Sequence, residues 1–374
     1  METQDQNPIE LILSSNPFTL DSGQKRKLFG EAINASFQYH IENNELFGNY
    51  CRNFGFSLSE NPVELSEYPY IPVNIFKNKR LTSVPADKIN AILNSSATSG
   101  VPSSIAIDSV TAKRQSFASA KVMADYLGGQ RRPFLILDED PLKSRSADIP
   151  ARAAATRGFL ILSSEPDYFL YSEAGQLHLD RDSFIKTLQR YENENIEICI
   201  FGFTYILYEY VIKVLLDSKI HFNLANNLKI AHIGGWKKLE SQKVSKFQFL
   251  DDVSKVFGVP EDNIFDIYGF TEQMGLIYIS KGSFPKKVPT YSEIIIRDFQ
   301  SLQPVPDGEK GLIQILTPLP NSYPGISVLT EDVGRIVSRG TDKFGRNGTE
   351  FEVIGRAKKA EARGCGDIMA EYVS

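Results

Sequence analysis

From Asn94 to Phe270 the chain alternates short runs of β-branched and aromatic residues with longer stretches in which apolar residues recur every three or four positions. That alternation builds parallel sheets through right-handed crossovers. It predicts strands at Ser104–Asp108, Pro133–Leu137, Gly158–Leu162, Ile196–Phe203, Leu228–Ile233 and Asn263–Tyr268. Helical spacing falls at Thr111–Tyr126, Asp182–Tyr191, Thr204–Leu216 and Ser245–Phe257. After Thr271 the texture changes to closely spaced strand patterns, Tyr291–Arg297, Gly311–Leu316, Ile326–Val337 and Glu350–Ile354, separated by turns such as PVPDGEKG and PLPNSYPG. This portion is expected to be an antiparallel or barrel-like lobe. Residues 1–90 predict helices at Lys25–Ile41 and Asn44–Phe54, followed by a proline-broken stretch, Asn61–Val84. No internal repeat is visible, which excludes solenoids.

Composition narrows the function classes. The 374 residues are 42% apolar and 23% charged, the balance of a folded globular chain. Lys and Arg total 41 against 46 Asp and Glu. No basic surplus is present to neutralise a phosphate backbone, so no nucleic-acid partner is expected. Cys51, Cys199 and Cys365 form neither a disulfide framework nor a Cys-x-x-Cys metal site, and suit a reducing, cytoplasmic setting. The start, METQDQNPIELIL, has acids where an export signal has bases, so no export is expected. The most apolar window, Ile196 to Leu216, is interrupted by Glu197, Glu209 and Lys213, and reads as buried core rather than a membrane span.

Two stretches carry candidate chemistry. Asn94-Ser95-Ser96-Ala97-Thr98-Ser99-Gly100-Val101-Pro102-Ser103 gathers small and hydroxylated residues directly before a predicted strand. Such a loop lets backbone N–H groups and hydroxyls approach a phosphate; a plain Ser/Gly surface turn explains the same residues. Tyr268-Gly269-Phe270-Thr271-Glu272 follows a predicted strand, and ligands converge at the carboxyl ends of parallel strands. An aromatic ring, a hydroxyl and a carboxylate within five residues suit base stacking, phosphate binding and magnesium coordination. An exposed Glu in a turn is the plain alternative.

Together these stretches resemble the phosphate loop and the Tyr-Gly-x-Thr-Glu motif of adenylate-forming enzymes, which join carboxylic acids to ATP as acyl-AMP. Further matches occur in order: Ile233-Gly234-Gly235 resembles the adenine-side loop, Thr330-Glu331-Asp332-Val333-Gly334-Arg335 the ribose-binding segment, and Gly355-Arg356 the hinge-proximal Gly-Arg. The chain ends 18 residues after Arg356, so the resemblance implies the amino-terminal domain of that α/β fold without its mobile C-terminal domain. The tail, Gly355 to Asp367, resembles the end of the LuxE-type acyl-protein synthetases, in which a cysteine near the C-terminus accepts a fatty acyl group. The resemblance runs from about Asn94 to the C-terminus, and residues 1–90 carry no recognisable motif.

The resemblance implies a division of the chain into a helical N-terminal segment (1–90), an α/β adenylation core (91–275), a β-rich lobe (276–356) and a short tail (357–374). It also assigns roles. Ser96, Thr98, Ser99 and Gly100 cradle the leaving phosphates of ATP, Thr271 binds the α-phosphate and Glu272 holds Mg. Tyr268 and Gly269, with Gly234 and Gly235, lie on the adenine side, and Asp332 and Arg356 hold the ribose. Viewed alone, Asp332 and Arg356 also suit a surface ion pair.

Cys365 is the expected acyl acceptor. Lys358, Lys359 and Arg363 favour its thiolate, while Gly364 and Gly366 leave it accessible. The expected substrate is a fatty or other carboxylic acid, and the implied partner is a LuxC-like acyl reductase. Cys51 and Cys199 are expected to be buried and idle. His232 suits either orientation of a ligand or a structural hydrogen bond, Trp236 is expected to pack beside the site, and Tyr205, Leu207, Tyr208 and Val211 suit either an acyl pocket or a core face. Ala97 stands where the superfamily loop usually has Gly, Ser103 where it has Lys, and Glu331 replaces the Gly of Thr-Gly-Asp. Delivery to CoA, as in phenylacetate-CoA ligases, and a degenerate domain that only binds are the rival readings.

Overall fold

The computed structural model describes residues 7–58, 64–95, 102–142, 158–174, 176–236 and 243–357. In chain order it begins with helices α1 (Pro8–Ser14), α2 (Ser22–Asn43) and α3 (Glu45–Asn53), strand β1 (Ile71–Pro72) and helix α4 (Ile75–Asn78). Strands β2 (Ile89–Asn94) and β3 (Ser104–Asp108), helix α5 (Ser109–Leu127), β4 (Arg132–Glu139), β5 (Ser163–Glu173) and β6 (Gln176–Leu179) follow. Next come α6 (Arg181–Glu194), β7 (Ile198–Phe203), α7 (204–217), β8 (Leu228–Ile233), α8 (Lys246–Phe257), β9 (Ile264–Tyr268) and β10 (Tyr278–Lys281). The chain closes with β11 (Lys286–Lys287), β12 (Glu293–Arg297), β13 (Gly311–Leu316), β14 (Ser327–Arg339) and β15 (Thr349–Arg356).

These elements divide into two compact units. One comprises 123–269 and 277–284, and the other 1–122, 270–276 and 285–374. The first is built on a seven-stranded sheet in the order β10-β9-β8-β7-β4-β5-β6, in which β9, β8, β7, β4 and β5 run parallel. Its central strand β7, ICIFGF, is buried at every position, as a strand covered on both faces must be. Helix α6 is capped by Asp180, whose carboxylate accepts from Ser183 N, and turns Phe184, Leu188 and Tyr191 inward at helical spacing. Helix α8 is capped in the same way by Ser245 and buries Phe249, Val253 and Val256. Helix α7 contains a π-helical turn, Leu207–Ile212. Its Leu207, Tyr208 and Val211 are buried in the unit's apolar core.

The other unit carries a mostly antiparallel sheet in the order β11-β15-β14-β13-β12, with β1 added in parallel to β14. Its path leaves β11 and β12 as open ends among the described residues, so the expected lobe is an open sheet rather than a barrel. Helix α2 starts with a capping box formed by Asp21 and Gln24. No helix among the described residues is long and apolar enough to cross a membrane.

Two expectations change. Phe159–Leu162 forms a 3-10 turn, and the strand begins only at Ser163. The apolar run forms the turn itself, and a run of four apolar residues fits a buried turn as well as a strand, so periodicity does not place the strand start. Ser104–Asp108 is a strand as expected, yet it pairs antiparallel with β2 in a separate two-stranded sheet instead of joining the parallel one. Its neighbour β2 is mostly solvent-facing and so lacked the apolar signature of a strand.

Candidate active site

In the parallel-sheet unit, β7, β8 and β9 end on the same edge, and each delivers a candidate residue there. Thr204 follows β7, Gly234 and Gly235 follow β8, and Tyr268 closes β9. Gly234 has φ +80°, a left-handed conformation that the sharp exit from β8 reserves for glycine. The loop is tied down by Thr204, whose buried hydroxyl donates to Gly234 O at 2.6 Å and lies 2.9 Å from His232 Nδ1. A hydroxyl has one proton, and a carbonyl can only accept. His232 therefore donates from Nδ1 to Thr204. Its ring also packs against Phe249 at 4.7 Å. Trp236 is buried against Tyr208 edge to face, with ring centres 5.3 Å apart. The Tyr208 hydroxyl donates to Asp252 Oδ2 at 2.7 Å, and burial, then that carboxylate, raises the Tyr208 pKa. Tyr268 lies beside Tyr278 of the neighbouring strand.

The chain passes into the other unit between Gly269 and Phe270. There Thr271–Gln273 makes one 3-10 turn that places Glu272 in the interior, with 6% of its surface exposed. Burial raises the Glu272 pKa above the usual carboxylate range, while the Ser103 hydroxyl and the charges of Lys77 and Arg356 pull it back. Gln273 anchors the turn by donating from Nε2 to Gly325 O at 2.9 Å and Ile315 O at 3.2 Å. On the sheet of this unit, Asp332 of β14 sits directly opposite Arg356 of β15. Arg356 Nε lies 3.7 Å from Asp332 Oδ1, with the Arg side chain 68% exposed and the Asp 22%. Strands β2 and β3, on either side of the hydroxyl-rich stretch, pair antiparallel. Ser95 N donates to Ser103 O at 3.0 Å and Ser103 N to Ser95 Oγ at 2.9 Å, closing the base of that stretch.

The expected residues Thr271, Glu272, Asp332 and Arg356 thus share one unit, and Gly234, Gly235, Tyr268 and Gly269 share the other. Ser96, Thr98, Ser99, Gly100 and Cys365, with Lys358, Lys359, Arg363, Gly364 and Gly366, lie outside the described residues. Cys51 and Cys199 are buried as expected, and burial pushes both thiols up to about 12. Sequence reasoning missed Thr204, Lys77 and Gln273. Thr204 directly follows a strand end, a cue that was available. Lys77 lies in a segment without any motif, and only folding brings its charge to Glu272.

Among the described residues no group of three or more His, Cys, Asp or Glu side chains is arranged to hold a metal ion. A lone buried carboxylate with a hydroxyl neighbour nevertheless suits Mg, which takes one or two carboxylates and completes its shell with phosphate oxygens and water.

A family model described as "Acyl-protein synthetase, LuxE" matches residues 3–374. The chain is 24% identical over 364 residues to the long-chain-fatty-acid–luciferin-component ligase of Vibrio harveyi, covering 97% of this chain and 92% of that protein. It is 25% identical over 369 residues to the ligase of the same name from Aliivibrio fischeri, covering 97% and 93%. Among solved structures, a 2-hydroxyisobutyryl-CoA ligase in its postadenylation state in complex with R3-HIB-AMP superposes with a TM-score of 0.68 at 14% identity, over 91% of this chain and 69% of that one. That likeness is one of fold.

Proposed function

The chain belongs to the acyl-protein synthetase family LuxE, and from that premise we propose that it activates a fatty carboxylic acid with ATP as acyl-AMP and passes the acyl group to its own Cys365. It is an AMP-forming acid–thiol ligase with the fold of the adenylate-forming enzymes. The observation that carries the reading is Glu272, a carboxylate buried on the turn that follows the end of a parallel strand, with Ser103, Lys77 and Arg356 acting on it.

In the first half-reaction a carboxylate oxygen of the acid attacks the α-phosphorus of ATP, the bond to the β-phosphate oxygen breaks, and pyrophosphate leaves. The protein's contribution is positioning and charge stabilisation. Ser96, Thr98, Ser99 and Gly100 bind the departing phosphates, and Thr271 binds the α-phosphate. Lys77 supplies positive charge where Ser103 replaces the loop's usual lysine. Gly234, Gly235, Tyr268 and Gly269 bind adenine, while Asp332 and Arg356 hold the ribose. Glu272 is the residue that would hold Mg, which, when bound, neutralises phosphate charge.

In the second half-reaction the Cys365 thiolate attacks the acyl carbonyl, the bond to the AMP oxygen breaks, and AMP leaves with its electron pair. A thioester remains on the protein. A LuxC-like acyl reductase then takes the acyl group, in a cytoplasm reducing enough to keep Cys365 a thiol.

Intact-protein mass spectra test this after incubation with MgATP and a panel of carboxylic acids, comparing the natural chain with Cys365→Ser. An ATP-dependent acyl adduct that hydroxylamine removes and the serine variant lacks is the expected result. Release of AMP only on adding CoA, without an adduct, would make the chain a CoA ligase. Silence in both assays would leave it a binding subunit.

A further inference from the structure

The segment Pro320–Gly325 is tied to three parts of its unit. His40 Nε2 lies 3.1 Å from Pro320 O. Thr111 Oγ1 accepts from both Asn321 N and Ser322 N, at 2.9 and 3.0 Å. Ser322 Oγ donates to Ala106 O of β3 at 2.8 Å. Tyr323 follows on this anchored stretch, 1% exposed, with its ring edge to face with Phe76 of α4. Its hydroxyl donates to Glu272 O at 2.8 Å and lies 3.4 Å from Gln115 Nε2 of α5. Gln115 also braces the far end of the same turn. Gly275 has φ +86°, and a Cβ there would lie 2.4 Å from Gln115 Cβ, so only glycine lets the chain pass this close to α5.

We propose that Tyr323 is a positioning residue whose hydroxyl, braced by Gln115, clamps the 270–276 turn and so sets where Glu272 presents its carboxylate. The inference rests on the role given to Glu272 above. The Tyr323 hydroxyl acts through the Glu272 main chain. Phe76, which packs on the Tyr323 ring, neighbours Lys77, so the same ring also seats the helix bearing a charge that acts on Glu272.

Tyr323→Phe removes one oxygen and keeps the ring packing, which makes it the informative variant. Its expected effects are specific. Amide hydrogen exchange over 270–276 rises about tenfold, the consequence of one buried hydrogen bond lost, while exchange in β13 and β14 stays as in the natural chain. Acid-dependent ATP–pyrophosphate exchange falls about tenfold in kcat, with KM for the acid within about twofold. Gly275→Ala, which pushes the turn off Gln115 from the other end, produces the same pattern. Unchanged exchange over 270–276 in Tyr323→Phe would overturn the proposal. So would a rise spread evenly over the whole unit, the mark of general destabilisation, or local loosening with full kcat. Full activity in Glu272→Gln would instead overturn the role of Glu272 itself, and the exchange over 270–276 would still decide whether the clamp exists.

Discussion

Thr204 Oγ1 stands between His232 Nδ1, at 2.9 Å, and Gly234 O, at 2.6 Å, so one hydroxyl both fixes which His232 nitrogen carries the proton and ties the Gly-Gly loop to the end of β7. Thr204→Val keeps the side-chain shape and deletes that link. Loss of a buried hydrogen bond of this kind costs about 1–2 kcal/mol. ATP affinity measured by calorimetry should fall by roughly five- to thirtyfold, and Thr204→Ser should restore it. Unaltered ATP binding in Thr204→Val would separate this loop from the nucleotide.

The facing pair Asp332 and Arg356 separates binding from stability. The Arg356 side chain is largely in water, and exposed ion pairs contribute about 0–1 kcal/mol. Asp332→Asn should therefore melt within a few degrees of the natural chain while slowing acid-dependent pyrophosphate exchange at least about tenfold through a raised KM for ATP. An unchanged KM would return the pair to the role of a surface contact.

Thiol chemistry in the folded protein should be confined to one residue. Cys51 and Cys199 are 1% and 0% exposed, and burial pushes both thiols up to about 12, leaving almost no thiolate at pH 8. For Cys199 the charges of Arg132 and Lys229 act the other way but do not overcome burial. Brief iodoacetamide treatment at pH 8 followed by peptide mapping should leave both unmodified and label only Cys365. Label on Cys51 before unfolding would contradict the packing of α3.

His40 predicts an acid limb of stability. The carbonyl of Pro320 can only accept, so Nε2 bears the proton and Nδ1 accepts from the Ser83 hydroxyl at 2.7 Å. Burial lowers the His40 pKa from 6.5 to about 4. Below pH 6.5 the unfolded chain therefore takes up a proton that the folded one refuses. The neutral histidine weighs nothing against folding above that pH, and stability declines as pH falls towards 4, by about 3 kcal/mol over the window. Denaturant midpoints between pH 7 and 4 should fall less steeply for His40→Gln than for the natural chain. Parallel curves would show that His40 does not drive the acid limb.

What was legible in advance followed the local character of each signal. Gly311–Leu316 and Leu228–Ile233 are strands with the boundaries their apolar runs predict, because strands with both faces largely covered are mostly apolar, interrupted here only by Gln314, Lys229 and His232. The amphipathic stretch Asp182–Tyr191 lies inside α6, where Phe184, Leu188 and Tyr191 recur on one face. Strand β6 and the extent of β5 beyond its predicted start were not legible. They lie at the margin of the sheet with much of their surface in water, and their mixture of polar and aromatic residues has no clear period.

The sequence by itself determined the alternating α/β core, the later run of β-strands, and the candidate residues Thr271, Glu272, Asp332 and Arg356, because periodicity and short motifs are properties of neighbouring residues. Tertiary structure alone decided that β3 pairs with β2, that Asp332 faces Arg356, and that Glu272 is buried with its pKa raised. Tyr323 reaches the Glu272 carbonyl across 51 positions, and Thr204 reaches His232 across 28. Desolvation and hydrogen bonding depend on which surfaces meet once the chain has packed, and no local pattern in Tyr323 or Lys77 encodes that meeting.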